Sequence, residues 1–264
     1  MNIMAIDIGN SKIAVGLFLD GQEQFIKRIP GQSTDQLRDV LIDGWARIPA
    51  AASSKEGIKD GVIVGCSVKP AWTKVVEHIV KTDLGQSIKL IGRDLPLPMP
   101  VWLDDPNQVG PDRVVAAAAA YDVVEDAVVV ADFGTAVTID LVDRHGVFQG
   151  GVIMPGFEIC LQGLYENTAL LPKVVLTRPT EPWGRNTADA IRCGIYYGAI
   201  GALEEIVRRY AERIGSWPQV IMTGSGGELI YQDCPFVDNY VPNLVVKGIV
   251  LAYRKYLQQK ASLQ

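Results

Sequence analysis

The amino-acid sequence predicts an α/β protein made of two related domains, and three observations carry that prediction. After an opening three-strand meander, segments of strand character alternate with segments of helical spacing, the pattern of sheets covered by helices. An apolar strand running into Asp-x-Gly and then an amide or hydroxyl occurs at Asp7-Ile8-Gly9-Asn10-Ser11 and again at Asp132-Phe133-Gly134-Thr135, close to half the chain apart. The length of 264 residues suits one large domain or two small ones. The repeat decides for two, residues 1–122 and 123–264, with the boundary in Asp122–Asp126.

The elements follow in order. Met1 to Ile6 is apolar and β-compatible, breaks at the Asp7 to Ser11 turn and resumes over Ile13 to Phe18. Asp20-Gly21 is a hairpin signal before a third strand, Gln24 to Ile29. Leu37, Val40, Leu41 and Trp45 have helical spacing. A buried strand follows at Gly61 to Gly65, then a helix with the apolar stripe Trp72, Val75, Val76, Ile79, Val80. Prolines at 96, 98, 100 and 106 impose extended chain. Pro111 suits the first turn of a helix whose body, Val114 to Tyr121, holds five alanines. The second half repeats strand, glycine turn and strand over Ala127 to Leu141, with a hairpin turn at Asp143-Arg144-His145-Gly146. A helix over Ala190 to Ile214, a strand over Gln219 to Met222 entering Thr223-Gly224-Ser225-Gly226-Gly227, and a helix from Val245 to about Gln258 complete the chain.

Composition excludes several function classes. The net charge of −5 offers no broad basic footprint for nucleic acid or an anionic membrane, so a small-molecule partner is expected. Cys66, Cys160, Cys193 and Cys234 show no C-x-x-C spacing and read as reduced thiols. Only His78 and His145 occur, which rules out a multi-histidine zinc site. His78 falls off its helix's apolar stripe and His145 falls in a turn, so neither is a candidate catalyst. Asp7 comes too early for a secretory leader, and no apolar run reaches the ~18 residues of a spanning helix, so a cytoplasmic protein is expected.

The repeated turn has a chemical use. A glycine lets backbone N–H groups approach an oxyanion, Asn10 or Thr135 adds donors, and the aspartate can hold a cation that neutralises phosphate. One copy is ordinary turn chemistry. Two copies, with a third glycine turn at Thr223 to Gly227, describe two domains clamping a nucleotide. No G-x-x-x-x-G-K-[ST] occurs, and Leu229 stands where a third dinucleotide-fold glycine is needed.

Five motifs in order, Asp7-Ile8-Gly9-Asn10-Ser11, Gly110-Pro111-Asp112-Arg113, Asp132-Phe133-Gly134-Thr135-Ala136, Gly150 to Gly156 and Gly184-Arg185-Asn186-Thr187, resemble type III pantothenate kinases almost end to end. The resemblance implies the acetate/sugar kinase, Hsp70 and actin superfamily: two ribonuclease H-like domains with mixed sheets flanked by helices, an actin-like ATPase fold. It implies phosphorylation of pantothenate to 4′-phosphopantothenate by ATP with Mg2+, the first step toward coenzyme A. It also implies a K+ or NH4+ requirement and a cytoplasmic homodimer, the contact expected at the Ala116 to Ala120 helix or the helix after Gly156.

Carried over by position, Asp7, Ile8, Gly9, Asn10, Ser11, Lys12, Ile13 and Ala14 would hold the ATP phosphates, with Asp7 near magnesium, and Thr135 would contact ATP. Asp112 would be the general base, Gly110, Pro111, Asp112, Arg113 and Thr187 would bind pantothenate, and Asp132 would ligate the monovalent cation. Each role has a structural competitor. Asp112 could complement a helix dipole, Asn186 or Thr187 could cap a helix, and Gly150 to Gly156 could end a strand. Two departures stand out: Leu103 replaces the tyrosine usual seven residues before Gly110, and Thr223-Gly224-Ser225-Gly226 replaces Thr-Gly-Gly. Alternative readings on the same scaffold are a non-catalytic nucleotide-binding regulator and a kinase for another small hydroxyl compound.

Overall fold

Asn2–Ile8 (β1) is apolar and almost wholly buried, the signature of a strand covered on both faces. It is the central strand of the first sheet in a computed structural model that describes residues 1–51 and 58–262. Lys12–Leu19 (β2) and Gln22–Pro30 (β3) follow as the meander, then Thr34–Ala46 (α1), Gly61–Ser67 (β4), Pro70–Thr82 (α2) and Ile88–Leu90 (β5). A short 3-10 turn at Pro106–Gln108 precedes Pro111–Val124 (α3). The second set is Val128–Phe133 (β6), Ala136–Val142 (β7), Phe148–Pro155 (β8), Phe157–Glu166 (α4), Thr187–Ile214 (α5) and Gln219–Thr223 (β9). Ser225–Ile230 (α6), Asn239–Tyr240 (β10) and Leu244–Ser262 (α7) end the chain.

The two sheets share one plan. The first runs β3-β2-β1-β4-β5 and the second, read in the same direction, β8-β7-β6-β9-β10. In each, the first strand pairs antiparallel with the second and parallel with the fourth, so both sheets are mixed. The repeat of Asp-x-Gly is therefore a repeat of whole topology. Each sheet has its own core. Ile6, Ile8, Val15, Leu41, Val76 and Ile79 belong to the first, and Phe133, Ile139, Tyr196, Leu203, Val220 and Met222 to the second. At ~1.5–3 kcal/mol per fully buried large apolar side chain, each cluster is a main stabiliser of its own unit.

The chain divides into two compact units, one of Met1–Met99, Asp105–Ala119 and the helix from Val245 onward, the other of Pro100–Asp104 and Ala120–Leu244. Two features differ from a single cut near Asp122. The last helix returns to the first unit because glycines admit it closely. A Cβ on Gly16 would stand 2.6 Å from Val246, and one on Gly248 would overlap the Val115 carbonyl. Pro100–Asp104 belongs to the second unit because Phe148 N–H donates to the Pro100 carbonyl (2.9 Å) and Trp102 N–H to the Phe148 carbonyl (2.8 Å).

The alanines of α3 are also spent inside the fold. Ala116, Ala117, Ala118 and Ala120 are all buried, so that face cannot serve as the subunit contact the sequence suggested. The helix after Gly156, α4, keeps Ile159, Leu164 and Tyr165 exposed. Among the described residues no helix is long and apolar enough to cross a membrane.

Candidate active site

In the first unit the chemistry gathers where β1 and β4 end side by side. The turn after β1 is tightened by the Gly9 N–H, which donates to the Lys12 carbonyl at 3.1 Å. A Cβ on Gly9 would come within 3.0 Å of that same oxygen. Gly9 therefore serves closeness of approach and spends its own donor within the turn, where the sequence suggested a donor open to phosphate. Because β1 and β4 are parallel, Asp7 faces Cys66 in register. The Cys66 thiol donates to Asp7 Oδ1 at 3.6 Å. Burial first, and then the charges of Asp7 and Asp112, push this thiol well above its ordinary pKa, so it stays protonated as a donor.

Asp112 lies in the first turn of α3, half-buried, and its Oδ1 accepts the Arg113 N–H at 2.9 Å. Desolvation raises its pKa, against the lowering effect of the Arg113 amide and charge. A carboxylate held out of water with a raised pKa is a better proton acceptor than a surface aspartate. Gly110 makes room for it, since a Cβ there would stand 2.5 Å from Asp112 Oδ1. A place in the first turn of a helix and a raised pKa thus coexist at Asp112.

Cys66 escaped the sequence reading, which took it for an ordinary buried thiol. Its only signal is that the strand before it is apolar and so a candidate parallel neighbour of β1. Cys66→Val removes one donor to Asp7; if Asp7 lies near the magnesium of MgATP, as the family resemblance implies, KM for MgATP should rise several-fold, whereas Cys66→Ser should recover most of the loss. Steady-state kinetics of both variants measure this, and a parental KM in Cys66→Val would take Cys66 out of the site.

In the second unit the equivalent turn is shorter. Gly134 N–H donates to the Ala136 carbonyl at 3.1 Å, and Gly156 N–H to the Thr135 carbonyl at 3.0 Å. A Cβ on Gly156 would overlap the Gly134 and Thr135 carbonyls, so the Gly150 to Gly156 motif does more than end β8: it seats that end against the turn. Asp132 faces Thr223 across parallel β6 and β9, as Asp7 faces Cys66. Gly224 adjoins Asp132, since a Cβ there would stand 2.5 Å from Asp132 Oδ1.

Leu103, half-buried, packs on Gly150, where a Cβ would come within 3.2 Å of Leu103 Cδ2. Asn186 caps α5, its Oδ1 accepting the Asp189 N–H at 2.9 Å, and Thr187 is the first helical residue. Nearby, Thr177, Arg178, Trp183, Arg185 and Arg192 line a cavity of about 280 Å3. Two of its arginines are paired, Arg178 with Asp233 and Arg192 with Asp189.

Comparison with known proteins decides the family. The type III pantothenate kinase family model matches residues 3–209. The chain is 34% identical to the type III pantothenate kinase of Persephonella marina, over 95% of this chain and 98% of that protein. It is 33% identical to the one from Geobacter sulfurreducens, over 96% and 98%. This chain belongs to the type III pantothenate kinase family.

Distant solved structures agree with a type III pantothenate kinase on fold alone. One, described as a 2-dehydro-3-deoxygalactonokinase from Sinorhizobium meliloti, superposes with a TM-score of 0.59 at 14% identity, covering 96% of each chain. MreB 5 of Spiroplasma citri superposes with a TM-score of 0.50 at 10% identity, covering 100% of this chain and 99% of that one. The fold is thus actin-like and kinase-like. Among the described residues no three His, Cys, Asp or Glu side chains form a metal cage. A Mg2+ ion bound together with a nucleotide needs no such cage, because it usually takes one or two protein carboxylates and completes its shell with water and substrate phosphates. Asp7 offers a hard carboxylate, held beside a protonated thiol.

Proposed function

We infer that this protein phosphorylates pantothenate with ATP, forming 4′-phosphopantothenate and ADP in coenzyme A biosynthesis. The observation that carries this reading is the family match through both turns and the Gly110 to Arg113 motif. Asp112 is our general base: its carboxylate takes the proton of the pantothenate hydroxyl as that oxygen attacks the γ-phosphorus, the bond to ADP breaks, and ADP departs. Phosphoryl transfer asks a protein mainly for positioning and charge neutralisation, so the absence of a suitable histidine is no obstacle. Asp7 to Ala14 would hold phosphate oxygens and Thr135 would contact ATP. Gly110, Pro111, Arg113 and Thr187 would place pantothenate, and Asp132 would hold K+ or NH4+. Bound Mg2+ would offset phosphate charge beside Asp7. A homodimer and a cytoplasmic location accompany this reading, and the exposed apolar side chains of α4 support a subunit contact there.

One observation favours a second reading. Leu103 packs on Gly150 where the family usually carries a tyrosine, so a different small alcohol is the alternative acceptor. Incubating purified protein with MgATP, KCl and pantothenate should yield ADP and 4′-phosphopantothenate in equal amounts. ADP formation only with another alcohol would support the second reading. ATP binding without turnover of any acceptor would make the protein a nucleotide-binding regulator.

A further inference from the structure

The turn after β1 has a cation that no motif predicts. Lys69 follows β4 and is the residue before α2. Its Nζ donates to the Asn10 carbonyl at 2.8 Å and lies 3.8 Å from the centre of the Trp72 ring. The lysine is held from both ends. Its backbone N–H donates to Ser67 Oγ at 3.2 Å, while its carbonyl accepts from Trp72 N, Thr73 N and Thr73 Oγ1. Ser67 and Thr73 share a further hydrogen bond of 2.6 Å. The ring under the ammonium is fixed too, because Trp72 lies so close to Gly31 that a Cβ there would overlap it. Gly31 in turn donates its N–H to the Ser11 carbonyl at 3.2 Å.

An ammonium has three donors. One is used on Asn10, and among the described residues no carboxylate pairs with Lys69. A lysine immobilised on a backbone carbonyl and an aromatic face, with donors to spare, serves as a fixed point charge. Its position is also the one expected of a ligand contact, since open α/β sheets bind ligands outside the carboxyl ends of parallel strands, here β1 and β4.

We propose that Lys69 is a phosphate-binding residue of the ATP site, its ammonium contacting the β- or γ-phosphate oxygens that lie against the Asn10 turn. The proposal rests on the reading of that turn as the ATP-phosphate turn. It adds an immobilised positive charge to a turn whose own lysine, Lys12, is exposed to solvent.

The test is the dissociation constants of MgATP and AMP, measured by calorimetry on the full-length protein without pantothenate. Lys69→Met should weaken ATP by ~10–100-fold, the loss of one charge-assisted contact, and leave AMP within about twofold. The ATP affinity of Lys69→Met should also depend less steeply on NaCl than the parent's. Should Lys69→Met fail to fold, Lys69→Gln, which keeps a donor for Asn10 without the charge, should show the same ATP-over-AMP loss. Unchanged ATP affinity would overturn the proposal. Equal weakening of ATP and AMP would overturn it as well, leaving Lys69 only a brace of the turn. A parent protein that binds ATP through Lys69 yet never phosphorylates pantothenate would instead sink the pantothenate reading alone.

Discussion

Asp112→Asn is expected to lower kcat by ~10²–10⁴-fold while leaving ATP binding and the fold intact. The amide keeps an Oδ1 that can accept the Arg113 N–H, as the carboxylate does at 2.9 Å, and has nearly the same volume. What it lacks, on the proposal that Asp112 is the general base, is a site for the pantothenate proton. Stability should not fall. Burial raises the folded-state pKa of Asp112 above its unfolded value, so between those two values the native protein binds more protons than the unfolded chain. The contribution of this group to stability is therefore greatest below the unfolded pKa, and is lost as pH rises through the folded pKa. At neutral pH the buried charge is a cost, and the neutral amide removes it, so Tm should be equal or higher. The same raised pKa, a property of the free protein, places the acid limb of the parent's kcat/KM profile above the ~3.9 of an ordinary aspartate. Stopped-time assays of kcat, and of kcat/KM against pH, calorimetric ATP binding and thermal melts together check this. Parental kcat in Asp112→Asn would remove Asp112 from the base role.

Gly224→Ala should cost nearly as much by a different route. Gly224 has φ +85° and ψ 155°, a region open essentially to glycine alone. An added Cβ would stand 2.5 Å from both Asp132 Oδ1 and the Phe133 carbonyl, with Phe133 C at 2.6 Å. The peptide cannot yield easily, because Tyr240 Oη donates to the Gly224 carbonyl at 3.0 Å. Either the backbone moves or the Asp132 carboxylate is displaced, and misplacements near 1 Å can cost ~10²-fold in rate. We expect kcat/KM to fall by about that factor, together with a lower Tm and, on the proposal that Asp132 holds K+, a weakened response to that cation. Gly201→Ala, in α5, is the control, since a Cβ there meets nothing within 4 Å; it should leave kcat/KM unchanged and Tm equal or higher, because alanine sustains helix better than glycine. A parental Tm and kcat/KM in Gly224→Ala would show that this contact positions nothing.

Much of the candidate site is legible in the sequence because its signals are local. Asp7 and Asp132 stand out since an apolar run, an aspartate and a glycine within a few residues already define strand and turn. Asp112 stands out because Pro111 marks a helix start. Helix bodies follow the 3.6-residue spacing, and errors fall at the ends: α3 runs on to Val124, and α7 to Ser262, where Gln259, Lys260 and Ala261 sustain helix beyond the apolar stripe. Gly9 was legible as a required glycine, though its N–H proves to close the turn.

Residues that meet across the sheet carry no such local mark. Cys66 reaches Asp7, Thr223 faces Asp132 and Lys69 reaches Asn10 only because β4 and β9 align parallel to β1 and β6. Parallel pairing joins segments tens of residues apart, and its register is set by packing on both faces of the sheet. Likewise nothing local to Val246 and Gly248 shows that α7 belongs with the first sheet; the glycine contacts at Gly16 and Val115 decide it. By itself the sequence determined the twofold plan, the two Asp-x-Gly turns and the acid at the head of α3, since each is written within one strand, turn or helix. The tertiary structure alone decided which side chains face those acids and that Lys69 reaches the Asn10 carbonyl, because long-range pairing sets which side chains share a strand end.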